Sequence, residues 1–258
     1  MRAYSVASPA YEYTSGGVRV MYGLYGWLLA KGAIAYLNEY PNNTKDFVAI
    51  YPEIVRGNPF GANTVVRYIL NKPGIVSAVY SSGKTETGPT EFPGEDVYVF
   101  SEMFNTMGVD EKHHLFLPIL DLHLWKDQGK KRTQRAVFEG KGISTNQHPK
   151  DCVIITRAMS ADQQWLADTL NECEVVYQYD PVSAMSEIAR LCGCRVVYLG
   201  QGYSRDDYLR YEPGINGMSF GEDQEVPLDV EGFREHYIGL RSIFSKKLDK
   251  FIDETQKC

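Results

Sequence analysis

A basic excess is the first thing this chain lacks. Its 258 residues carry 27 lysines and arginines against 33 aspartates and glutamates, a formal net charge of −6. Nucleic-acid binders usually show a basic face, so this balance argues against such a partner. A small anionic ligand needs only one local pocket and stays open. Long apolar runs are also missing. The most apolar stretch, VRVMYGLYGWLLAKGAIAYL, is broken by Arg19 and Lys31 and by Gly23, Gly26 and Gly32. It is too polar to span a bilayer. The opening MRAYSVASPAYEYTSGG has no apolar core of the kind a signal peptide needs. Cysteine is scarce: Cys152, Cys173, Cys192, Cys194 and Cys258. Their odd number and uneven spacing predict free thiols in a reducing compartment. The expectation is therefore a cytoplasmic protein with at most peripheral membrane contact. Cys192 and Cys194 form C-x-C, but no second pair completes a zinc site. No G-x-G-x-x-G follows the first strand, which counts against an NAD-dependent oxidoreductase. No short repeat is visible.

What is present is an ordinary globular composition, 43% hydrophobic and 23% charged, long enough for one large domain or two modest ones. A strand is expected at Tyr4–Ala7, then a Gly16-Gly17 loop and a helix from Val18 to Lys31. In that helix Val20, Met21, Leu24, Trp27 and Leu28 recur at three- and four-residue steps. AIAYL and FVAIY read as short buried strands. GANTVVRYILNKPG reads as a helix stopped by Pro73-Gly74. VYVFS and LFLPILDL read as strands. Two polar stretches stand out: Ser81–Asp96, an exposed loop or hairpin tip, and the basic Lys126–Arg135, a candidate linker. His113-His114 reads as a surface loop.

The second half alternates more cleanly. AVFEG, CVIIT, EVVYQY and RVVYL are valine- and isoleucine-rich strands. Helices are expected at Ala161–Asn171 and after Asp180, and GINGMSFG offers one more strand. Such alternation means parallel pairing with helices packed on the sheet. The end, Val230–Thr255, reads as one long amphipathic helix with Phe233, Tyr237, Leu240, Ile243, Phe244, Leu248 and Phe251 on one face. The expected fold class is α/β, with two Rossmann-like domains around a cleft. The expected divisions are 1–130, 131–229 and a terminal helix, 230–258, that packs back on the first domain.

In parallel sheets, ligands bind beyond the carboxyl ends of the strands, where helix N-termini also point. YDPVSAMSEIARLCG puts Tyr179, Asp180, Ser183, Ser186 and Glu187 there. Asp180 reads as a helix N-cap and Pro181 as the first helical residue, which explains both without function. Ser183 and Glu187 are four apart and share a helix face. A hydroxyl there can hold a phosphate and a carboxylate can accept from a ribose diol, or both can simply face water.

Ser183, Glu187, Ala189 and Gly193 form S-x-x-x-E-x-A-x-x-x-G, which resembles the donor-binding segment of GT-B fold glycosyltransferases. The resemblance implies that Glu187 binds the ribose of a nucleotide sugar. Many members carry an earlier glutamate, where this chain has Tyr179 with Asp180 beside it. FEGKG resembles the family's Gly/Lys turn near the donor diphosphate, which makes Lys141 a phosphate ligand. Arg157, ending ITR, is a second cation, and Ser160 beside it reads as a helix cap. SGGVRVMY resembles the glycine-rich turn of the family's first domain, so Gly16 and Gly17 would line the cleft. YPEIVRGNPFGANTVVRYILNKPG resembles a group of surface-polysaccharide transferases, with Glu53 and Asn58 after a strand.

The resemblance implies sugar transfer from a nucleotide-diphosphate sugar to a hydroxyl of a carbohydrate or glycolipid acceptor, in polysaccharide or glycoconjugate synthesis. No cofactor beyond the donor is called for. Lys141, Arg157 and a helix N-terminus would stabilise the leaving diphosphate. Glu12 and Glu53 are the candidate bases. Asp206-Asp207 and Asp121–His123 resemble metal motifs superficially, and no metal ligand is assigned. The rival readings are a sugar-nucleotide epimerase of the same fold and a non-catalytic sugar-nucleotide-binding protein.

Overall fold

A computed structural model describes residues 1–75, 77–79, 85–142, 144–221 and 226–257. The chain is an α/β protein with two five-stranded parallel sheets. It divides into two compact units: Met1–Ile119 with Leu240–Cys258, and Leu120–Gly239.

The first unit contains β1 (Ala3–Val6), α1 (Gly16–Ala30), β2 (Ala35–Leu37), β3 (Phe47–Pro52), β4 (Thr64–Ile69), β5 (Ser77–Val79), β6 (Thr85–Thr87) and β7 (Asp96–Val99). Its sheet runs β2-β1-β3-β4-β7. β3 is buried along its whole length, which suits its continuous apolar run at the centre of a parallel sheet. β2 is an edge strand and only half-buried, less enclosed than its sequence predicts. The stretch expected to be a helix, GANTVVRYILNKPG, is instead the strand β4, paired with β3 and β7. Thr64, Val65, Val66 and Ile69 are β-branched and stiff at χ1, which favours the extended backbone once neighbouring strands are there to pair with. LFLPILDL is not a strand of either sheet. It begins at a single bridge, Val99 to His114, after which Leu115 donates to Val99 O. Pro118 has no N–H to extend a ladder. His114 is buried rather than on the surface. Its Nε2 sits 3.0 Å from Val109 O and 3.2 Å from Asn105 Nδ2. β5 and β6 pair antiparallel, and the tip between them, residues 80–84, lies outside the described residues.

The second unit contains β8 (Gln134–Phe138), β9 (Val153–Ile155), α2 (Gln163–Asn171), β10 (Cys173–Gln178), α3 (Met185–Leu191), β11 (Arg195–Tyr198), α4 (Arg205–Leu209), β12 (Met218–Phe220) and the start of α5 (Val230–Thr255). Its sheet runs β12-β11-β10-β8-β9. Counted in chain order within each unit, both sheets have the strand order 2-1-3-4-5, a doubly wound order whose switch point lies between the first and third strands. The basic stretch expected to be a linker is tied into this unit. Arg132 donates to Leu170 O (3.2 Å), Cys173 O (2.9 Å) and Cys192 O (2.6 Å), and pairs with Asp127 at 2.7 Å. These carbonyls lie at and just beyond the C-terminal ends of α2 and α3, where a cation is favoured.

α5 serves both units. In the second, Phe233 lies under the Arg190 guanidinium, 4.1 Å from it, and Tyr237 accepts from Leu120 N–H at 3.3 Å. In the first, Phe244 meets Trp27 edge-on, and Phe251 packs against Tyr4 and Tyr98. Cys173, Cys192 and Cys194 are buried free thiols, and burial pushes Cys173 up to about 11 and Cys192 to about 12. Such thiols are inert as nucleophiles. Cys258 lies outside the described residues. Among the described residues, no helix is long and apolar enough to cross a membrane.

Candidate functional site

The second unit's switch point lies between the carboxyl ends of β8 and β10. β8 runs into the turn Glu139-Gly140-Lys141-Gly142, and β10 into Tyr179-Asp180. The two segments interlock. A Cβ on Gly140, which has φ +58°, would overlap the Asp180 carboxylate, and one on Gly142 would overlap Tyr179 O. Only glycine lets the backbones approach this closely. Lys141 N–H donates to Asp180 Oδ2 at 3.0 Å and Val182 N–H to Oδ1 at 3.3 Å. Asp180 is only 6% exposed. Burial raises its pKa, while the two amide bonds and the positive charges of Lys141 and Arg157 pull it back. The structure thus gathers Lys141, Arg157 and Asp180 into one electrostatic neighbourhood. Lys141 is exposed and Arg157 half-buried.

The segment after Asp180 departs from its sequence expectation. Asp180 is not the N-cap and Pro181 is not the first helical residue. α3 starts at Met185, with Ala184 in the capping place and no side-chain cap. The reason is local. The Asp180 carboxylate closes a turn onto Val182 N–H, and Ser183 Oγ closes another onto Met185 N–H at 3.2 Å. Side-chain-closed turns of this kind compete with helix. Ser183 therefore precedes the helix and does not share its face with Glu187. Ser160, expected to cap a helix, likewise turns its hydroxyl back onto Arg157 O at 2.7 Å, and Asp162 caps α2.

Glu187 lies inside the unit. It is 2% exposed and accepts from Ser186 Oγ at 3.2 Å and from the Tyr211 hydroxyl. Burial raises its pKa, with Arg190 opposing. Arg190 is wholly buried and donates to Ser186 O, Gly214 O and Asn216 O. Burial lowers it to about 10. The electrostatic influence of Arg190 on Glu187 was missed in the sequence, although their i, i+3 spacing signals it. Tyr211, 24 residues away from Glu187, left no such signal. Tyr179 is also enclosed: its hydroxyl accepts from Gln147 N–H at 2.9 Å and sits 3.1 Å from His148 Nδ1. Asp207, one of the superficial metal candidates, forms a capping box with Ser204 at the start of α4.

The first unit's switch point lies between β1 and β3. Glu53 follows β3, is 4% exposed, and accepts from Leu70 N–H at 2.8 Å just past the end of β4. Burial raises its pKa to about 7, the Leu70 amide opposing and Arg67 opposing less. Arg67, wholly buried in β4, forks onto Glu95 at 2.8 and 2.9 Å and donates to Pro52 O, Val55 O and Gly57 O. It thereby clamps the loop that Glu53 begins. Ser8, two residues past β1, has a buried hydroxyl with no partner, while its N–H donates to Asn38 Oδ1 at 2.8 Å. No sequence pattern pointed to Ser8. Glu12, the other candidate base, is exposed and accepts from Thr14 Oγ1. Gly16 and Gly17 are the first residues of α1, capped by Ser15, rather than a separate loop. Asn58 closes its own loop, accepting from Tyr51 Oη (3.1 Å) and Ala62 N–H (3.1 Å) and donating to Ala62 O (2.7 Å). That leaves its amide committed to the fold.

No family model matches the chain, and no curated protein matches it. Among solved structures it is similar to the solution structure of the E. coli RcsC C-terminus (residues 700–949), containing a linker region and phosphoreceiver domain. The identity is 15%, the match covers 96% of this chain and 95% of that one, and the TM-score is 0.24.

Proposed function

We propose that the chain is a glycosyltransferase of GT-B type, moving a sugar from a nucleoside-diphosphate sugar to an acceptor hydroxyl. The observation that carries this reading is the grouping of Lys141 and Arg157 beside Asp180 at the β8/β10 switch point of the second unit. Breaking the bond between the anomeric carbon and the donor phosphate leaves a diphosphate with growing negative charge. Two cations beside the strand ends stabilise that charge as it develops. The acceptor oxygen bonds to the anomeric carbon and gives up its proton to solvent. Within the first unit, Glu53, raised to about 7, is a carboxyl able to exchange a proton near neutral pH. For Glu187 to take the ribose diol, Tyr211 must first leave its carboxylate, so donor binding rests on the two cations.

The enclosure of Glu187 and Tyr179 favours, as a second reading, a protein that binds sugar nucleotides without turning them over. The first test is calorimetry with a panel of nucleoside diphosphates and their sugars. A ligand should bind the wild type and lose affinity in Lys141→Met and Arg157→Met, while the parent nucleoside is unaffected. No diphosphate binding, or equal losses for nucleoside and diphosphate, would overturn the donor site. A labelled donor then separates the readings: transfer or hydrolysis marks the enzyme, and tight binding without turnover marks the binder.

A further inference from the structure

The amino ends of the second unit's strands carry a feature unrelated to the switch point. There a cavity of about 260 Å³ opens on one face of the sheet. Arg135 of β8 and Arg195 of β11 are both register partners of Val175 on β10. Residues level with one another on adjacent parallel strands present the same face. Both arginines therefore line the cavity on either side of a floor of Val175, Tyr177 and Val197. Among the described residues neither guanidinium has a hydrogen-bond or ion-pair partner. Among the described residues, Glu174, beside the register shift in β10, is the one acid lining the cavity. The described lining side chains thus sum to one positive charge.

We propose that this cavity is a binding site for a small apolar molecule bearing one carboxylate. The floor meets the apolar body with the little surface that Val175, Tyr177 and Val197 leave exposed, 5–6% each. The arginine pair takes the carboxylate, for which the planar guanidinium fork is geometrically matched. At about 30 Å³ per water-sized group, the cavity holds roughly nine non-hydrogen atoms. That is the size of an arylcarboxylate and too small for a nucleotide. One net positive charge suits a monoanion better than a phosphate dianion. Nothing in this assignment depends on sugar transfer, because the site lies at the opposite ends of the strands from Lys141 and Asp180.

Benzoate is the probe, titrated into the full chain and followed by the methyl signals of Val175 and Val197 and by calorimetry. A ligand of this size in a partly open cavity is expected to bind with a Kd of roughly 0.1–1 mM. Arg195→Met and Arg135→Met should each weaken benzoate about tenfold or more, and benzyl alcohol, which lacks the charge, should bind at least tenfold more weakly than benzoate. Ser219→Leu keeps both arginines but fills the cavity, and should abolish binding in a chain whose spectrum stays dispersed. Lys141→Met should leave benzoate affinity unchanged. The proposal is overturned if benzoate shifts neither valine, if the arginine variants bind as tightly as wild type, or if inorganic phosphate binds the same residues as well as benzoate does.

Discussion

The two units share a strand order and differ in what that order holds at its switch point. In the first, Glu53 is buried with backbone amides for partners, and the nearest cation, Arg67, is already forked onto Glu95. In the second, Asp180 is buried with amides too, but Lys141 and Arg157 stand by it. Identical topology thus supplies a carboxyl suited to exchange a proton in one unit and a cationic setting suited to an anion in the other. A parallel sheet dictates where a ligand sits, through the loops at its carboxyl edge. The side chains on those loops decide what the ligand is.

The largest expected effects test whether both edges rest on comparable foundations. Each unit has one wholly buried arginine: Arg67, paired with Glu95, and Arg190, which donates to Ser186 O, Gly214 O and Asn216 O. Removing Arg67 strands the Glu95 carboxylate, so Arg67→Met should cost about 3–5 kcal/mol, and Arg190→Met, which leaves three carbonyls without their donor, about 1–3 kcal/mol. Urea unfolding measures this, and a loss below about 1 kcal/mol in either would mean that the buried contacts of that arginine are not needed.

The next effect separates the two edges by pH. Glu53 holds its proton more tightly folded, at about 7, than the ordinary value of 4.5. The folded state therefore binds more protons, and stability falls as pH rises from about 4.5 through 7. The contribution is complete below that window and lost above it. The shift corresponds to about 3 kcal/mol. Glu53→Gln cannot titrate, so its stability relative to wild type should rise by up to that amount between pH 4.5 and 8. Asp180→Asn should show the same sign with a smaller change, because amides and two cations oppose the burial. A pH-independent difference for Glu53→Gln would remove the raised carboxyl.

Ligand binding should reverse the contrast. Lys141→Met should weaken nucleoside diphosphate binding by about 1.5–3 kcal/mol, the range for a charge-assisted contact, and Glu53→Gln should leave it unchanged. Comparable losses in both variants, read by calorimetry, would mean that the edges do not divide the work as described. The smallest effect concerns Ser186. Its hydroxyl serves Ser183 O and Glu187, so Ser186→Ala should cost about 1 kcal/mol of stability with diphosphate affinity intact. A loss of affinity without a loss of stability would return Ser186 to the binding surface.

Legibility in the sequence followed the length and regularity of each pattern. The alternation from Ala136 to Tyr198 is plain because runs such as VVYQ and RVVY are bounded by turns and separated by helical spacing. α5 was legible to its last residue because its periodicity spans 26 residues. β4 was misread because six apolar-rich residues carry too little period to separate helix from strand. The start of α3 was misplaced because Asp180 can cap a helix or close a turn. The choice depended on Lys141, 39 residues away.

By itself, the sequence determined the α/β class, most element positions in the second half, and which residues stand just past the strand ends. Local propensity and hydrophobic period suffice for these, since both act within a few residues. Only the tertiary structure decided that Lys141 and Arg157 share a neighbourhood with Asp180, that Tyr211 encloses Glu187, and that Arg135 and Arg195 stand level across Val175. Strand register and loop contact bring together residues far apart in the chain, and the charge environment of each group follows from those distances, not from its neighbours in sequence.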